Sequence, residues 1–162
     1  MSNLGVILFE GSSTLDGKPI VVIALKNSDN RKTGDMVQTI IMRSDIDPIT
    51  ASRLGEDFSV CGDCIHRGIA NPDKKSGGAD KRSCYVMLLM VLSVYKAYKR
   101  GLYAKLNADE ISEWFRDELV RLGAYGDPMA IPSWLWDDVL KYAKNHTGYG
   151  HQFGMKGADV RP

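Results

Sequence analysis

Cys61-Gly-Asp-Cys64-Ile-His66-Arg-Gly, answered by Cys84-Tyr85, gathers all three cysteines and one of the three histidines of the chain into residues 61–84. Two thiolates held two residues apart across a glycine-containing turn can reach one soft metal ion, and a third cysteine beyond a loop can join them. Structural zinc closes four ligands, so a histidine must complete the set, and His66, His146 and His151 are the candidates. His66 is the nearest in sequence, but it follows Cys64 so closely that the local backbone decides whether it turns inward. Three thiolates can instead hold three irons of a four-iron cluster and leave one iron open to a ligand. The competing reading is three reduced cysteines at buried positions, cysteine being among the most buried residue types. An odd count argues against a purely disulfide framework, and spacing alone favours zinc over iron–sulfur.

A second set lies later in the chain. Arg121-Leu-Gly-Ala-Tyr-Gly-Asp127-Pro128 reads as a strand running into a glycine-permitted turn. In parallel α/β folds ligands bind beyond the carboxyl ends of strands, and Asp127 occupies that position. Its carboxylate can orient a polar ligand, Arg121 can pair an anion, and the next helix offers free N–H groups near Pro132 and Ser133. Against this stands a βα turn in which Gly and Pro satisfy the backbone and Asp127 is a cap. His151 follows Tyr149 near the end of the next strand, so adjacent strands would bring His151 and Asp127 to one rim as an acid–base pair. A structural role for a strand histidine is the alternative. Arg121, Asp127, Tyr149 and His151 are the candidate ligand-binding residues, with Asp127 and His151 the candidates for catalysis.

The elements that must position these residues follow from pattern. Val6-Ile-Leu-Phe9 and Pro19 to Leu25 read as strands joined through the Asp16-Gly17 turn, an N-terminal hairpin with a longish loop. Asn27 to Gly34 is polar and turn-prone and leads to a third strand, Met36 to Arg43. Asp47-Pro48 starts a short helix through Leu54, with Asp47 as N-cap. After the cysteine loop, Asn71 to Asp80 is an exposed flexible excursion. Tyr85 to Arg100 is helical, closed by Gly101. Asn107 caps a further helix with Glu110 as its capping-box partner. Leu119–Tyr125, an amphipathic helix from Pro132 to Lys144 with Trp136, Val139, Leu140 and Ala143 on one side, and a strand from Thr147 to Phe153 make a β–loop–α–β unit. The fold class is α/β: an N-terminal hairpin and strand leading into a partial β/α barrel or an open mixed sheet. Residues 1–153 read as one domain and 154–162 as a loosely ordered tail.

Length and composition fit that class. A chain of 162 residues, 44% apolar and 25% charged, can bury a real core and is not of a disordered type. The longest apolar run, Tyr85 to Leu92, is too short to span a bilayer, and Met1-Ser-Asn-Leu-Gly has no basic region of a secretory signal. The expected compartment is the cytoplasm, where thiols stay reduced. A net charge of +1 hides an asymmetry. Residues 66–105 are basic (Lys74, Lys75, Lys81, Arg82, Lys96, Lys99, Arg100 among them), and residues 106–140 are acidic. Such blocks steer an anionic partner, or pair with each other, or remain solvated faces; the last two readings are preferred. Trp114, Trp134 and Trp136 at helical spacings read as core. Tyr85, Tyr95, Tyr98 and Tyr103 among basic residues suit single-stranded nucleic acid, but suit an amphipathic helix better.

With these residues in place, the chain resembles a group of uncharacterised bacteriophage-encoded proteins from about Asn27 to Phe153. The resemblance rests on Lys32-Thr-Gly34 with Met36-Val-Gln38, on Cys-x-x-Cys with a later Cys-Tyr, and on Tyr98-Lys-x-Gly101-x-Tyr103. Arg121-Leu-Gly-Ala-Tyr-Gly-Asp127-Pro128 and Thr147-Gly-Tyr149 with His151-Gln152 complete the ordered set. The same order is similar to barrel segments of radical S-adenosylmethionine proteins, although the Cys-x3-Cys-x-x-Cys spacing of that superfamily is absent. The first resemblance implies a metal-binding accessory protein of the host cytoplasm that acts by binding a host protein or nucleic acid. The second implies an enzyme with an iron–sulfur or zinc site. The first resemblance also implies further β/α units, so a partial barrel would leave a sheet edge for a homo-oligomer partner or a rearranged tail to cover.

Overall fold

Pro19–Leu25 is apolar at nearly every position, which suits a strand covered on both faces, and Ile20 to Ala24 are all fully buried. The structure is a computed structural model that describes residues 5–26 and 34–152. In it, this strand (β2) lies between β1 (Gly5–Ser12) and β3 (Val37–Arg43), antiparallel to both. The β1–β2 hairpin turns at Asp16-Gly17, where Gly17 has φ +75°. Beyond β3 the pairing changes hand: β5 (Leu119–Tyr125) runs parallel to β3, and β6 (Asn145–Gly148) parallel to β5. A two-residue β4 (Ala104–Lys105) runs parallel to β1 at the far edge. The result is an open mixed sheet in the order β4-β1-β2-β3-β5-β6, and the fold is α/β with an N-terminal hairpin.

Helices follow the expected start signals where a cap exists. The Asp47 side chain accepts from the N–H groups of Ile49 and Thr50, both at 3.0 Å, and Pro48 opens α1 (Pro48–Leu54). Asn107 and Glu110 form the reciprocal capping box of α4 (Ala108–Trp114). A short α2 (Phe58–Cys61) carries the first cysteine. The next helix, α3 (Leu88–Lys99), starts three residues later than the apolar run predicts. Arg82 donates to the carbonyls of Cys84 and Val86, so that stretch bends around its guanidinium instead of joining the helix, and no capping side chain stands before Leu88. Helix α1 packs on α3, and α4 on α5 (Ser133–Leu140).

Three further expectations need correction. Helix α5 stops at Leu140 because the next segment is tied to the start of β5, with Asp117 N–H donating to Tyr142 O and Lys144 N–H to Glu118 O. Strand β6 begins at Asn145 and ends at Gly148, so Tyr149 and His151 lie beyond it, in a loop. The 71–80 excursion is closed on itself: Ile69 bridges Asp80, whose carboxylate accepts from Asn71 Nδ2 at 2.7 Å and Lys74 Nζ at 3.0 Å. Of the remaining expectations, the Asn27–Gly34 turn, except Gly34, and the tail after Gln152 lie outside the described residues. Among the described residues, ion pairs of the two charge blocks run from Arg67 to Asp57, Lys105 to Glu10 and Glu118 to Lys26, and within a block from Lys74 to Asp80 and Arg116 to Glu113. Trp136 is buried, as a core residue should be, while Trp134 is exposed. No helix among the described residues is long and apolar enough to cross a membrane.

Asp117 has φ +60° just after α4, a left-handed conformation that a β-carbon disfavours and that puts a carboxylate at a helix C-terminus. Asp117→Gly removes both penalties. A gain of about 1 kcal/mol is expected, a rise of about 2–4 °C in melting temperature for a domain of this size. Calorimetry showing an unchanged or lower melting temperature would contradict it.

Candidate functional site

Three loops meet at the carboxyl end of β5 and enclose a cavity of about 320 Å³. The first loop carries Cys61 and Cys64. Gly62 ends α2 with φ +55°, and a β-carbon there would come within 2.3 Å of the Gln152 side chain. Its shape is held by Arg67, which follows Cys64 in a 3-10 turn (Ile65–Arg67). The Arg67 guanidinium donates to Asp57 Oδ1 from Nε at 3.0 Å and from Nη2 at 2.6 Å, to Gly62 O at 2.9 Å and to Gly55 O at 2.9 Å. Asp57 is buried, and desolvation pushes its carboxyl above the usual range, against the pull of Arg67.

The second loop returns Cys84 to the first. After the Ile69–Asp80 bridge, the N–H groups of Ser83 and Cys84 both donate to His66 O, at 3.2 and 3.1 Å. Ser83 Oγ also meets His66 Nδ1 at 2.9 Å. The three cysteines are free thiols, and all three line the cavity. Desolvation first, and then the nearby Asp57 carboxylate, push the Cys61 thiol well above its ordinary range. Tyr125, at the end of β5, is raised for the same leading reason.

The third loop follows β6. His151 N–H donates to Asp127 Oδ2 at 2.6 Å, and Gln152 Nε2 donates to Cys61 O at 3.0 Å. Asp63 N–H in turn donates to Gln152 Oε1 at 3.3 Å. Asp127 Oδ1 accepts from Met129 N–H at 2.9 Å, and Asp127 N–H donates to Val60 O at 2.6 Å. Asp127 therefore ties the first loop to the third through main-chain partners, Val60 O and His151 N–H. It meets His151 at the main chain, not at the imidazole, so the side-chain acid–base contact expected between them is not formed. The His151 ring instead stands edge-on to that of His66, their centroids 6.0 Å apart.

Of the other candidates, Tyr149 lines the cavity and is 73% exposed. Arg121 is buried on β5, two residues before the cavity-lining Gly123, and its Nη2 donates to the hydroxyl of Tyr85, itself a lining residue. His146 belongs to a separate cleft of about 50 Å³ with Trp136 and Met129, where its Nε2 has no partner among the described residues. His66 and His151 line the main cavity with the thiols, whereas Lys96 and Lys99 of α3 and Arg100 just after it do not line it. Among the described residues no three His, Cys, Asp or Glu side chains are gathered as a ready cage for a metal ion. The donor chemistry suits a soft ion; the arrangement is a wall of thiols, not a closed coordination shell. Sequence reasoning missed Asp57, Arg67, Ser83 and Gln152. Each acts through a contact far along the chain or through its backbone, and neither leaves a spacing motif. Comparison of the chain with family models, with curated proteins and with solved structures finds no match.

Proposed function

We propose that the cavity is a thiol-based metal site with room beside it for a small ligand, in a cytoplasmic protein of the phage type described above. The observation that supports this is that all three cysteines of the chain line one cavity, beyond the carboxyl end of a parallel strand. Ligands of open α/β sheets bind at such ends. Cys61, Cys64 and Cys84 would hold the ion after their side chains turn from the wall toward a common centre. His66 is the best-placed fourth ligand: its Nδ1 is engaged by Ser83 Oγ, which leaves Nε2 for the ion. Zinc is the first choice for this donor set, and an iron–sulfur cluster the alternative. Bound there, zinc would supply Lewis acidity and a cluster would supply electron transfer.

A structural zinc fills its own cage, so the free volume beside the thiols favours the enzyme or ligand-receptor reading over an accessory protein stapled by zinc. The residues of the chain would bind and orient: Tyr85 and Tyr149 flank the ligand, and Asp127 keeps the loops registered. A second copy of the chain pairing with β6, a four-residue edge strand, is compatible with this reading.

Metal analysis of the native protein, purified without oxygen or chelator, tests it. About one zinc per chain is expected, or a brown protein with iron and sulfide. Cys61→Ser and Cys84→Ser should each weaken retention by at least about 10-fold, given what one ligand contributes. A metal-free native protein whose stability is untouched by Cys61→Ser would remove the metal from this reading.

A further inference from the structure

Arginine stays charged in proteins, so an arginine withdrawn from water normally meets a carboxylate. Two of the chain's arginines obey that rule. Arg43, 6% exposed, meets Asp45 and Glu56, each at 2.9 Å. Arg67 meets Asp57 at 2.6 Å. Arg121 does not obey it. At 8% exposure it is nearly as buried as Arg43, yet among the described residues it has no carboxylate partner. The one side-chain hydrogen bond of its guanidinium goes to the Tyr85 hydroxyl, and the Tyr85 ring centroid lies 5.6 Å from its central carbon. A phenol offers a dipole where the other two arginines meet a full negative charge, a weaker partner for a guanidinium withdrawn from water.

The same tyrosine borders the cavity. Tyr85 is 68% exposed and lines the cavity together with Gly123 and Tyr125 from the strand that carries Arg121. A large aromatic side chain held out in solvent, with its hydroxyl on a buried cation, is poorly explained by packing. It is well explained as a cover over a charge reserved for something else.

We propose that Arg121 recognises the oxyanion of the cavity's ligand, a small organic carboxylate that displaces the Tyr85 hydroxyl. The guanidinium fork matches a planar carboxylate through two parallel N–H donors. The volume of about 320 Å³ is at the small end of ligand pockets. Val86, Ala124, Tyr125 and Tyr149 give the lining an apolar share that suits a hydrocarbon or aromatic body behind the carboxylate. This deepens the reading of the cavity above by naming its ligand class; it rests on the cavity but not on a metal.

The test compares benzoate, its neutral isostere benzamide and inorganic phosphate, titrated into the protein as purified and again after chelation, with calorimetry and thermal melting as readouts. Benzoate should bind at least about 10-fold more tightly than benzamide in both preparations, as expected for one charge-assisted bidentate contact. Arg121→Met should lose the benzoate response and, relieved of a buried charge whose partner is a phenol, melt higher than the native protein without ligand. Tyr85→Phe, which removes only the competing hydroxyl, should bind benzoate several-fold more tightly and keeps the test decisive if Arg121→Met fails to fold. Equal binding of benzoate and benzamide, a benzoate response that survives Arg121→Met, unchanged affinity in Tyr85→Phe, or no response to either anion would overturn the proposal. A response to phosphate but not benzoate overturns the carboxylate assignment. Because the response is read with and without chelation, loss of the metal reading leaves this outcome separately visible.

Discussion

Arg67→Ala is expected to lower stability by about 3 kcal/mol and to open the cysteine loop. Breaking a buried ion pair by removing one partner costs about 3–5 kcal/mol, because the remaining charge is stranded. The lower figure applies here since the Arg67 side chain keeps 20% exposure, while its partner Asp57 keeps 5%. The loss is not confined to one pair. Arg67 also satisfies the carbonyls of Gly55 and Gly62, one on each side of α2, so the variant leaves two backbone acceptors and a carboxylate without their donor. Cys61 and Cys64 flank that lattice, so the variant should also lose whatever the thiol wall binds.

The pH dependence has a definite sign. Desolvation already raises the Asp57 carboxyl in the folded protein, and Arg67 is the largest influence pulling it back. Without Arg67 the folded carboxyl rises further above its unfolded value. A group whose folded pKa is raised contributes most below the unfolded pKa, and that contribution is lost as pH rises through the folded pKa. The deficit of Arg67→Ala should therefore be smallest near the ordinary carboxylate range and grow toward neutrality. Urea denaturation at several pH values measures it, and a deficit independent of pH would show that Asp57 is not what the variant strands. Arg67→Lys should fall between, since an ammonium restores charge but not the fork that reaches Asp57, Gly55 and Gly62 together.

Much of the frame carrying this lattice is legible in the sequence, because local rules write it. Asp47-Pro48 and Asn107 with Glu110 announce helix starts, and each makes the expected hydrogen bonds. The β5–α5–β6 unit is visible from its alternation of strand, helix and turn residues, and Cys61, Cys64 and Cys84 are linked by spacing and by one short loop. What is not legible depends on long-range partners. Nothing in Asp57 or Arg67 alone distinguishes them from surface charges; the path of the chain through α2 and the 3-10 turn brings them together, and just beyond them the chain turns back at Gly68. A β-carbon on Gly68 would lie 2.4 Å from Asp80 O, so this return admits only glycine. Tyr85 reads as helix because its neighbours are apolar, and it lies in a bend because Arg82 takes the carbonyls around it. Tyr149 and His151 lie beyond β6 because its pairing with β5 ends at Gly148 and the His151 main chain is captured by Asp127. That Arg121 meets a phenol and, among the described residues, no carboxylate is least legible of all. A partner of the wrong kind has no sequence signal, and only the burial of Arg121 gives it meaning.

Gly123→Ala is expected to cost about 3 kcal/mol and to displace the floor of the cavity. Between Gln38↔Arg121 and Ile40↔Tyr125 the single residue Thr39 stands opposite Leu122, Gly123 and Ala124, so β5 bulges there. The buried Thr39 hydroxyl stitches the bulge, donating to Arg121 O at 3.0 Å and accepting from Gly123 N–H at 2.8 Å. Gly123 adopts φ +65°, and a β-carbon would lie 2.5 Å from Gly126 O and 2.7 Å from Pro128 Cδ. Left-handed backbone in a non-glycine residue costs about 1–2 kcal/mol, and forcing atoms into a filled space costs about 1–3 kcal/mol more. The two can be separated. Gly17 has φ +75° but open space around the β-carbon position, so Gly17→Ala should show the backbone part alone. Paired denaturation curves decide the matter: if Gly123→Ala is no worse than Gly17→Ala, the close approach of β5 to the Gly126–Pro128 turn is not what shapes the cavity floor. If the difference holds, the bulge is the device that sets Arg121 on one side of Thr39 and Tyr125 on the other. The geometry of the candidate site then depends on a hydroxyl and a missing β-carbon that take no part in its chemistry.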